Sequence, residues 1–184
     1  MKELSLNILD IAQNSIKARA SLIGIHIKEE GDILSFEIVD DGCGMDQATV
    51  ERLVDPFYTT RTTRKVGLGI PFLKMAAEQT GGYVSVESVS EKADPQNKGT
   101  RVYAEFHKSS IDFTPMGDIV STMVSLIQGA EGMDFDFTYQ TERGECALST
   151  MDMREVLGED IPLSSPEVLM WARETMEESL SEIL

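Results

Sequence analysis

The apolar residues near the start of the chain recur every three or four positions. Leu4, Ile8, Ile11, Ala12 and Ile16 fall on one face, which predicts an amphipathic helix over residues 3–19. At Leu22 the period shortens to two, and Leu22–Lys28 reads as a half-buried strand. Glu29-Glu30-Gly31-Asp32 is a turn signal, and the alternation resumes over Ile33–Val39, so the two strands predict a hairpin. Asp46 is placed to cap a short helix through about Leu53. Residues 55–66 show no period and are basic, with Arg61, Arg64 and Lys65. A second apolar helix is predicted over Leu68–Thr80, with Pro71 tolerated only in its first turn and Gly81-Gly82 as its stop. Tyr83–Val89 and Thr100–Phe106 alternate as strands around a polar loop at 90–99.

Beyond Pro115 the pattern starts afresh. Asp118–Gln128 reads as a helix, and Phe135–Gln140 and Cys146–Asp152 as strands across the turn Glu142-Arg143-Gly144. Ser165-Pro166-Glu167 is a helix start, with proline in the first turn and an acid at the positive end of the dipole. The last helix then offers Val168, Ala172, Met176 and Leu180 as one stripe. This predicts two regions: a first domain over 1–108, and an extension over 109–184. The extension reads helix–strand–strand–helix, either packed on the first domain or standing as a separate binding module.

Charge sharpens the division. Residues 1–108 hold 13 Lys and Arg against 16 Asp and Glu, whereas residues 109–184 hold 3 against 16, and the whole chain carries −16. Such an acidic half argues against nucleic-acid backbones, which need cationic partners. It reads either as a solvated face or as a surface for a basic partner. No apolar run approaches the roughly 20 residues of a membrane helix, and Met1–Ser5 lacks a signal peptide's apolar core. A cytoplasmic protein without membrane contact is expected. Cys43 and Cys146 are too far apart for a zinc or redox motif and are expected to be reduced packing thiols.

Four short segments carry chemistry. Asp10, Asn14 and Lys17 stand at i, i+4 and i+7, off the apolar face of the first helix. The row is either a solvated face or a set comprising a water-orienting carboxylate, a Mg²⁺ ligand and a phosphate cation. Asp40-Asp41-Gly42-Cys43-Gly44-Met45 follows a strand directly. It is either a tight turn or a place where a flat ligand meets the backbone, with a carboxylate to accept from an exocyclic amine. Lys65-Val66-Gly67-Leu68-Gly69-Ile70 leads into a helix, as a hinge or as an anion site of backbone N–H groups. Gly99-Thr100 opens a strand. Each segment alone is weak.

Their order is not weak. Asp10-x-x-x-Asn14, Asp40-x-Gly42-x-Gly44, Asp55-Pro56-Phe57-Tyr58-Thr59-Thr60, Gly67-x-Gly69 and Gly99-Thr100 follow one another at compatible spacings. Over about residues 4–107 the chain resembles the GHKL superfamily, in its N, G1, F and G2 boxes and final Gly-Thr pair. Asp10–Ile16 and Asp41–Met45 look like the mismatch-repair ATPases. Asp55–Arg61, the short loop to Gly67, and Lys17 look like histidine kinases.

The resemblance implies an α+β fold, a two-layer α/β sandwich of the Bergerat type with helices on one face of a largely antiparallel sheet, plus a small acidic extension. It implies ATP and Mg²⁺ as ligands. Asn14 would coordinate Mg²⁺ and Lys17 would contact phosphate. Asp40 would bond the adenine amino group, with Thr100 completing the link through water. Gly42 and Gly44 would shape the base pocket and Met45 would line it. Gly67, Leu68 and Gly69 would offer N–H groups to the phosphates, and Arg61 would be a lid cation. Asp10 would stand where the hydrolysing branch keeps a glutamate base. No phospho-accepting histidine stands on a helix ahead of the N box, and His26 and His107 read as structural. A usual self-phosphorylating kinase layout is therefore not expected. The expected function is transfer of the γ-phosphoryl group to a separate protein, or slow hydrolysis. The alternative is a non-catalytic, ATP-gated module that binds a protein partner through the acidic extension.

Overall fold

The computed structural model describes residues 3–55 and 69–184. In chain order the elements are α1 (Leu4–Lys17), β1 (Leu22–Glu30), β2 (Ile33–Asp40), α2 (Gln47–Val54), α3 (Gly69–Gln79), β3 (Tyr83–Val89), β4 (Gly99–His107), α4 (Ile119–Gly129), β5 (Asp134–Thr141), β6 (Gly144–Ser149), α5 (Thr150–Leu157) and α6 (Pro166–Ile183). The six strands form one sheet in the order β3-β4-β2-β1-β5-β6. Every neighbouring pair is antiparallel except β1 and β5, which run parallel.

The register explains the two layers. Ile25 stands opposite Ile38 and beside Phe137, and Ile27 opposite Phe36 and beside Tyr139. Phe36 faces Ala104, and Phe137 faces Leu148. Alternate residues of β1, β2, β4, β5 and β6 thus join one buried row, with Val84 and Val86 of β3 partly buried beside it, which is how a one-sided sheet core arises. The opposite face carries polar side chains such as Glu37, Arg101 and His26, all partly exposed. Over the buried face the helices lie in the order α3, α1, α4, α6, each packed on the next, with α2 flanking α3. Phe36, Phe106, Phe135, Phe137 and Tyr139 are at most 1% exposed. Fully burying a side chain of this size contributes about 1.5–3 kcal/mol.

The extension departs from the predicted order. The strand expected over Cys146–Asp152 ends at Ser149, and α5 begins there, giving helix–strand–strand–helix–helix. Ser149 Oγ accepts from the Asp152 amide at 3.4 Å as a helix cap. Thr150 Oγ1 accepts from the Phe135 amide at 2.8 Å and donates to Asp134 Oδ1 at 2.8 Å. Arg154 Nε reaches the same carboxylate at 3.0 Å. These bonds turn the chain back onto the start of β5 and end the hairpin. The β5–β6 hairpin continues the first half's sheet through the pairing of β5 with β1. In α6 the predicted stripe Val168, Ala172, Met176 and Leu180 is buried, together with Leu169 and Ile183. No described helix is long and apolar enough to cross a membrane.

Candidate active site

A cavity of about 280 Å³ opens where α1, the end of β2, the start of α3 and β4 converge. Its wall is mostly apolar, with Ile11, Ile38, Ile70 and Val102 among its residues, while Asn14, Ser15, Asp40 and Thr100 bring polar groups. This is the usual make-up of a small-molecule pocket, an apolar slot with a few placed polar groups.

Asp40 is its best-held polar group. It ends β2 on the helix-facing side, opposite Thr100 of β4, and is 8% exposed. Its Oδ1 accepts from the Gly42 amide at 2.9 Å. Its Oδ2 accepts from Ser15 Oγ at 2.5 Å, from one turn beyond Ile11 on α1. Each oxygen keeps a further lone-pair direction. Asp41, one residue later, turns away. It accepts from Ser21 Oγ and from the Ser21 and Leu22 amides at 2.7 and 3.0 Å. Burial opposes its ionisation, but these donors prevail and hold its carboxyl below the ordinary range.

The far wall depends on close backbone approach. Gly44 has φ +64°, and a Cβ there would stand 1.9 Å from the Val89 carbonyl oxygen. Gly99 has φ +139°, and a Cβ there would stand 2.0 Å from the Asp40 carbonyl oxygen. No L side chain fits either position, so both glycines let strand ends and turn meet at the pocket. Ser88 locks this meeting. Its Oγ accepts from the Met45 amide at 2.8 Å, donates to the Gly99 carbonyl at 3.0 Å, and lies 2.8 Å from Thr100 Oγ1.

The expected site residues thus fall into three groups. Asn14, Asp40, Gly44, Met45 and Thr100 line one cavity. Gly42 is buried beneath it and holds Asp40, while Asp10 is exposed on α1 and meets Gly69 at the first turn of α3, 3.7 Å from that glycine's ideal Cβ position. Lys17 is exposed in the last turn of α1, a favourable place for any cation, and is absent from the cavity wall. Arg61, Gly67 and Leu68 lie outside the described residues. Ser15 and Ser88 were not singled out in the sequence. Nothing in a serine's local context marks it, and both act across strand or helix contacts. Among the described residues no group of three or more His, Cys, Asp or Glu is arranged to hold a metal. The two histidines stand elsewhere. His26 Nδ1 is 2.9 Å from Thr138 Oγ1, and His107 Nδ1 is 3.7 Å from Asp32.

Known proteins place this geometry. Residues 2–110 match the family described as histidine kinase-, DNA gyrase B- and HSP90-like ATPases. The sensor histidine kinase CitA of Klebsiella pneumoniae is 31% identical over 85 residues, 45% of this chain and 16% of that protein. The sensor protein kinase FleS of Pseudomonas aeruginosa is 38% identical over 58 residues, 30% of this chain and 14% of that protein. The chain thus spans only a small part of these relatives' length. Among solved structures, the N-terminal domain of a DNA repair protein superposes with a TM-score of 0.59 at 20% identity, covering 86% of this chain and 58% of that one. The ADP-bound MutL ATPase domain of Aquifex aeolicus gives 0.50 at 13% identity, covering 85% and 69%. The fold likeness therefore runs past residue 110 into the acidic half. With the motif order, the sandwich and the family match in agreement, the chain belongs to the histidine kinase-, DNA gyrase B- and HSP90-like ATPase family, and its membership implies an ATP-binding domain.

Proposed function

We propose that the chain binds Mg-ATP in the cavity beside Asp40 and transfers the γ-phosphoryl group to a separate protein, with slow transfer to water as the side reaction. The observation that carries this reading is the Asp40 carboxylate, held on both oxygens at the edge of an apolar slot. Such a group accepts from the exocyclic amine of a base lying flat in the slot. Thr100, its cross-strand neighbour, would serve the adjacent ring nitrogen through a water.

Asn14 fits a magnesium ligand. It is an exposed amide at the cavity mouth, and Mg²⁺ takes few protein oxygens when phosphates and water supply the rest. Bound Mg²⁺ would neutralise phosphate charge as the γ-phosphoryl group leaves ADP for its acceptor. Lys17 would add a second cation. Gly67, Leu68 and Gly69 would donate backbone N–H groups, and Arg61 would close on the phosphates. Asp10 would orient the attacking group, beside the first turn of α3.

Purified protein is tested for ADP binding and for phosphate release from Mg-ATP, beside Asp10→Asn and Asp40→Asn. Asp40→Asn is expected to weaken ADP binding at least about ten-fold, the loss of one charge-assisted bond. Asp10→Asn is expected to bind as the parent does and to lose any release. Absence of ADP binding by the parent protein would sink the reading.

A second reading is favoured by the packing of α4 on α1 and of β5 on β1, which joins the acidic half to the helix and sheet that form the pocket. The nucleotide would then act as a ligand that biases a protein contact, without turnover. Hydrogen exchange slowed in α4 by ADP, with no release or transfer, would select it.

A further inference from the structure

A second concave surface lies at the β6 edge of the sheet, separated by β1 and β5 from the strands that line the cavity beside Asp40. It is a groove of about 460 Å³ between α5 and α6 along the edge strand β6. Its floor and walls are Leu148, Met153, Val156, Leu157, Trp171 and Thr175. Val156 is 85% exposed and Trp171 is 52% exposed. A valine and the chain's single tryptophan left in water beside a preformed apolar slot are not needed by the core, which is already closed beneath them by Met153, Ala172 and Met176. Such exposed apolar patches rimmed by polar residues mark interaction sites.

The rim identifies the partner's charge. Residues 144–184 hold ten Asp and Glu against two Arg. Both arginines are engaged. Arg154 bonds Asp134 and the Met133 carbonyl, and Arg173 bonds Ser121 and pairs with Glu177. Asp152 lines the groove, and Glu155 adjoins Val156 on α5. On α6, Glu167 and Glu174 stand one turn either side of Trp171, and Glu178 one turn beyond Thr175. None of these five carboxylates has an ion-pair partner among the described residues.

We infer that this groove binds an amphipathic, lysine- or arginine-rich helix of a partner protein. The apolar floor takes the helix's hydrophobic stripe, and the carboxylates on both walls take its basic flanks. Two flanking helices form the usual seat for a third, read by anchors at i, i+3, i+4 and i+7. The eight residues of α5 span about 12 Å, two turns, which matches two such anchors. Nucleic acid and anionic membranes are repelled by the rim. A second copy meeting the groove face to face would bring the same acids to it. The inference does not rest on the nucleotide reading, since the two surfaces share no residue.

Trp171 reports on the test directly. A helical peptide of roughly 15 residues, with Leu at i, i+3, i+4 and i+7 and Lys elsewhere, is titrated into the full chain while tryptophan emission is followed. The expected result is a saturable blue shift, with affinity falling at least ten-fold in the triple variant Glu155→Lys/Glu174→Lys/Glu178→Lys and also in Val156→Asp. All four positions are exposed, and an unchanged Tm and unchanged circular dichroism report that the variants are folded. A scrambled peptide of the same composition should bind at least ten-fold more weakly. No blue shift, an equal response to the scrambled peptide, or a shift produced by self-association of the chain alone would each overturn the inference.

Discussion

Ser15 is the sharpest place to test the site, because its hydroxyl has one strong partner. It is 3% exposed and donates to Asp40 Oδ2 at 2.5 Å, while its contact with the Ile11 carbonyl is long, at 3.4 Å. Ser15→Ala removes the donor without changing the helix, since alanine is the better helix former. In the free protein the cavity is open at Asp40, so water replaces the hydroxyl and stability changes little. With a base in place that water is excluded, and the carboxylate has lost a charge-assisted bond worth about 1.5–3 kcal/mol. Because Oδ2 would still face the amine of the base in the proposed binding mode, the lower end of this range is expected. That is about a ten-fold weaker Kd for ADP. Calorimetric titration of ADP into parent, Ser15→Ala, Asp40→Asn and the double variant checks it. If Ser15 acts by positioning Asp40, its substitution should cost little once Asp40 is already Asn. An ADP affinity within two-fold of the parent would refute the reasoning. So would a Ser15→Ala penalty that adds in full to Asp40→Asn.

Four further outcomes are expected. Asp118→Ala removes the cap of α4, in which Asp118 accepts from the Ser121 amide at 2.9 Å and its hydroxyl at 2.6 Å; about 1 kcal/mol should be lost, seen as a fall in Tm of about 2–4 °C. Asp41 is held below the ordinary carboxylate range, so its contribution is complete above about pH 4 and is lost as pH falls through its lowered value. Asp41→Asn should therefore lower Tm at pH 7 yet flatten the fall of Tm below pH 4, and an acid limb identical to the parent's would count against the assignment. Cys43 lines the cavity and is partly exposed, whereas Cys146 is buried and burial pushes its thiol up. An alkylating reagent followed by mass spectrometry should label Cys43 first, and ADP should slow that labelling. A chain cut after Lys108 should lose cooperative thermal unfolding, because it uncovers the β1 edge paired with β5 and the α1 face packed on α4.

Much of this arrangement was legible because each element kept one period. The β1–β2 hairpin, the capped α2 and the stripe of α6 all follow from residues close in sequence. Asp40 and Thr100 were singled out instead by the order of individually weak motifs, and the structure sets them opposite each other in the cavity wall. What the sequence hid depends on distant pairs. Ser15 meets Asp40 only because α1 crosses the end of β2, and Ser88 meets Thr100 only through the β3–β4 register. The start of α5 was hidden for a different reason. Cys146, Leu148 and Thr150 keep a strand's alternation of buried positions, and the bonds that break it come from Asp134. Parallel pairing of β1 with β5, across more than a hundred residues, has no local signal at all.

That pairing changes the meaning of the charge boundary. The two halves differ sharply in surface charge, yet the buried row runs through both without interruption, from Ile25 to Phe137 to Leu148. The acids of the second half stand instead at positions facing solvent, such as Glu145, Asp152, Glu174 and Glu178. A composition break can reflect what a surface is selected to meet rather than where a core ends. Here the sheet places β1 between β2, which carries Asp40 at its end, and β5, which begins the acidic hairpin. On the helix layer α1, which carries Asn14 and Ser15, lies between α3 and α4. The cavity beside Asp40 therefore meets the acidic half directly in the helix layer, where α1 packs on α4, and through the single strand β1 in the sheet. A ligand that tightened α1 would act on α4, and one that tightened the end of β2 would act on β5 through β1; α4 packs on α6 and β5 on β6, the groove's own walls.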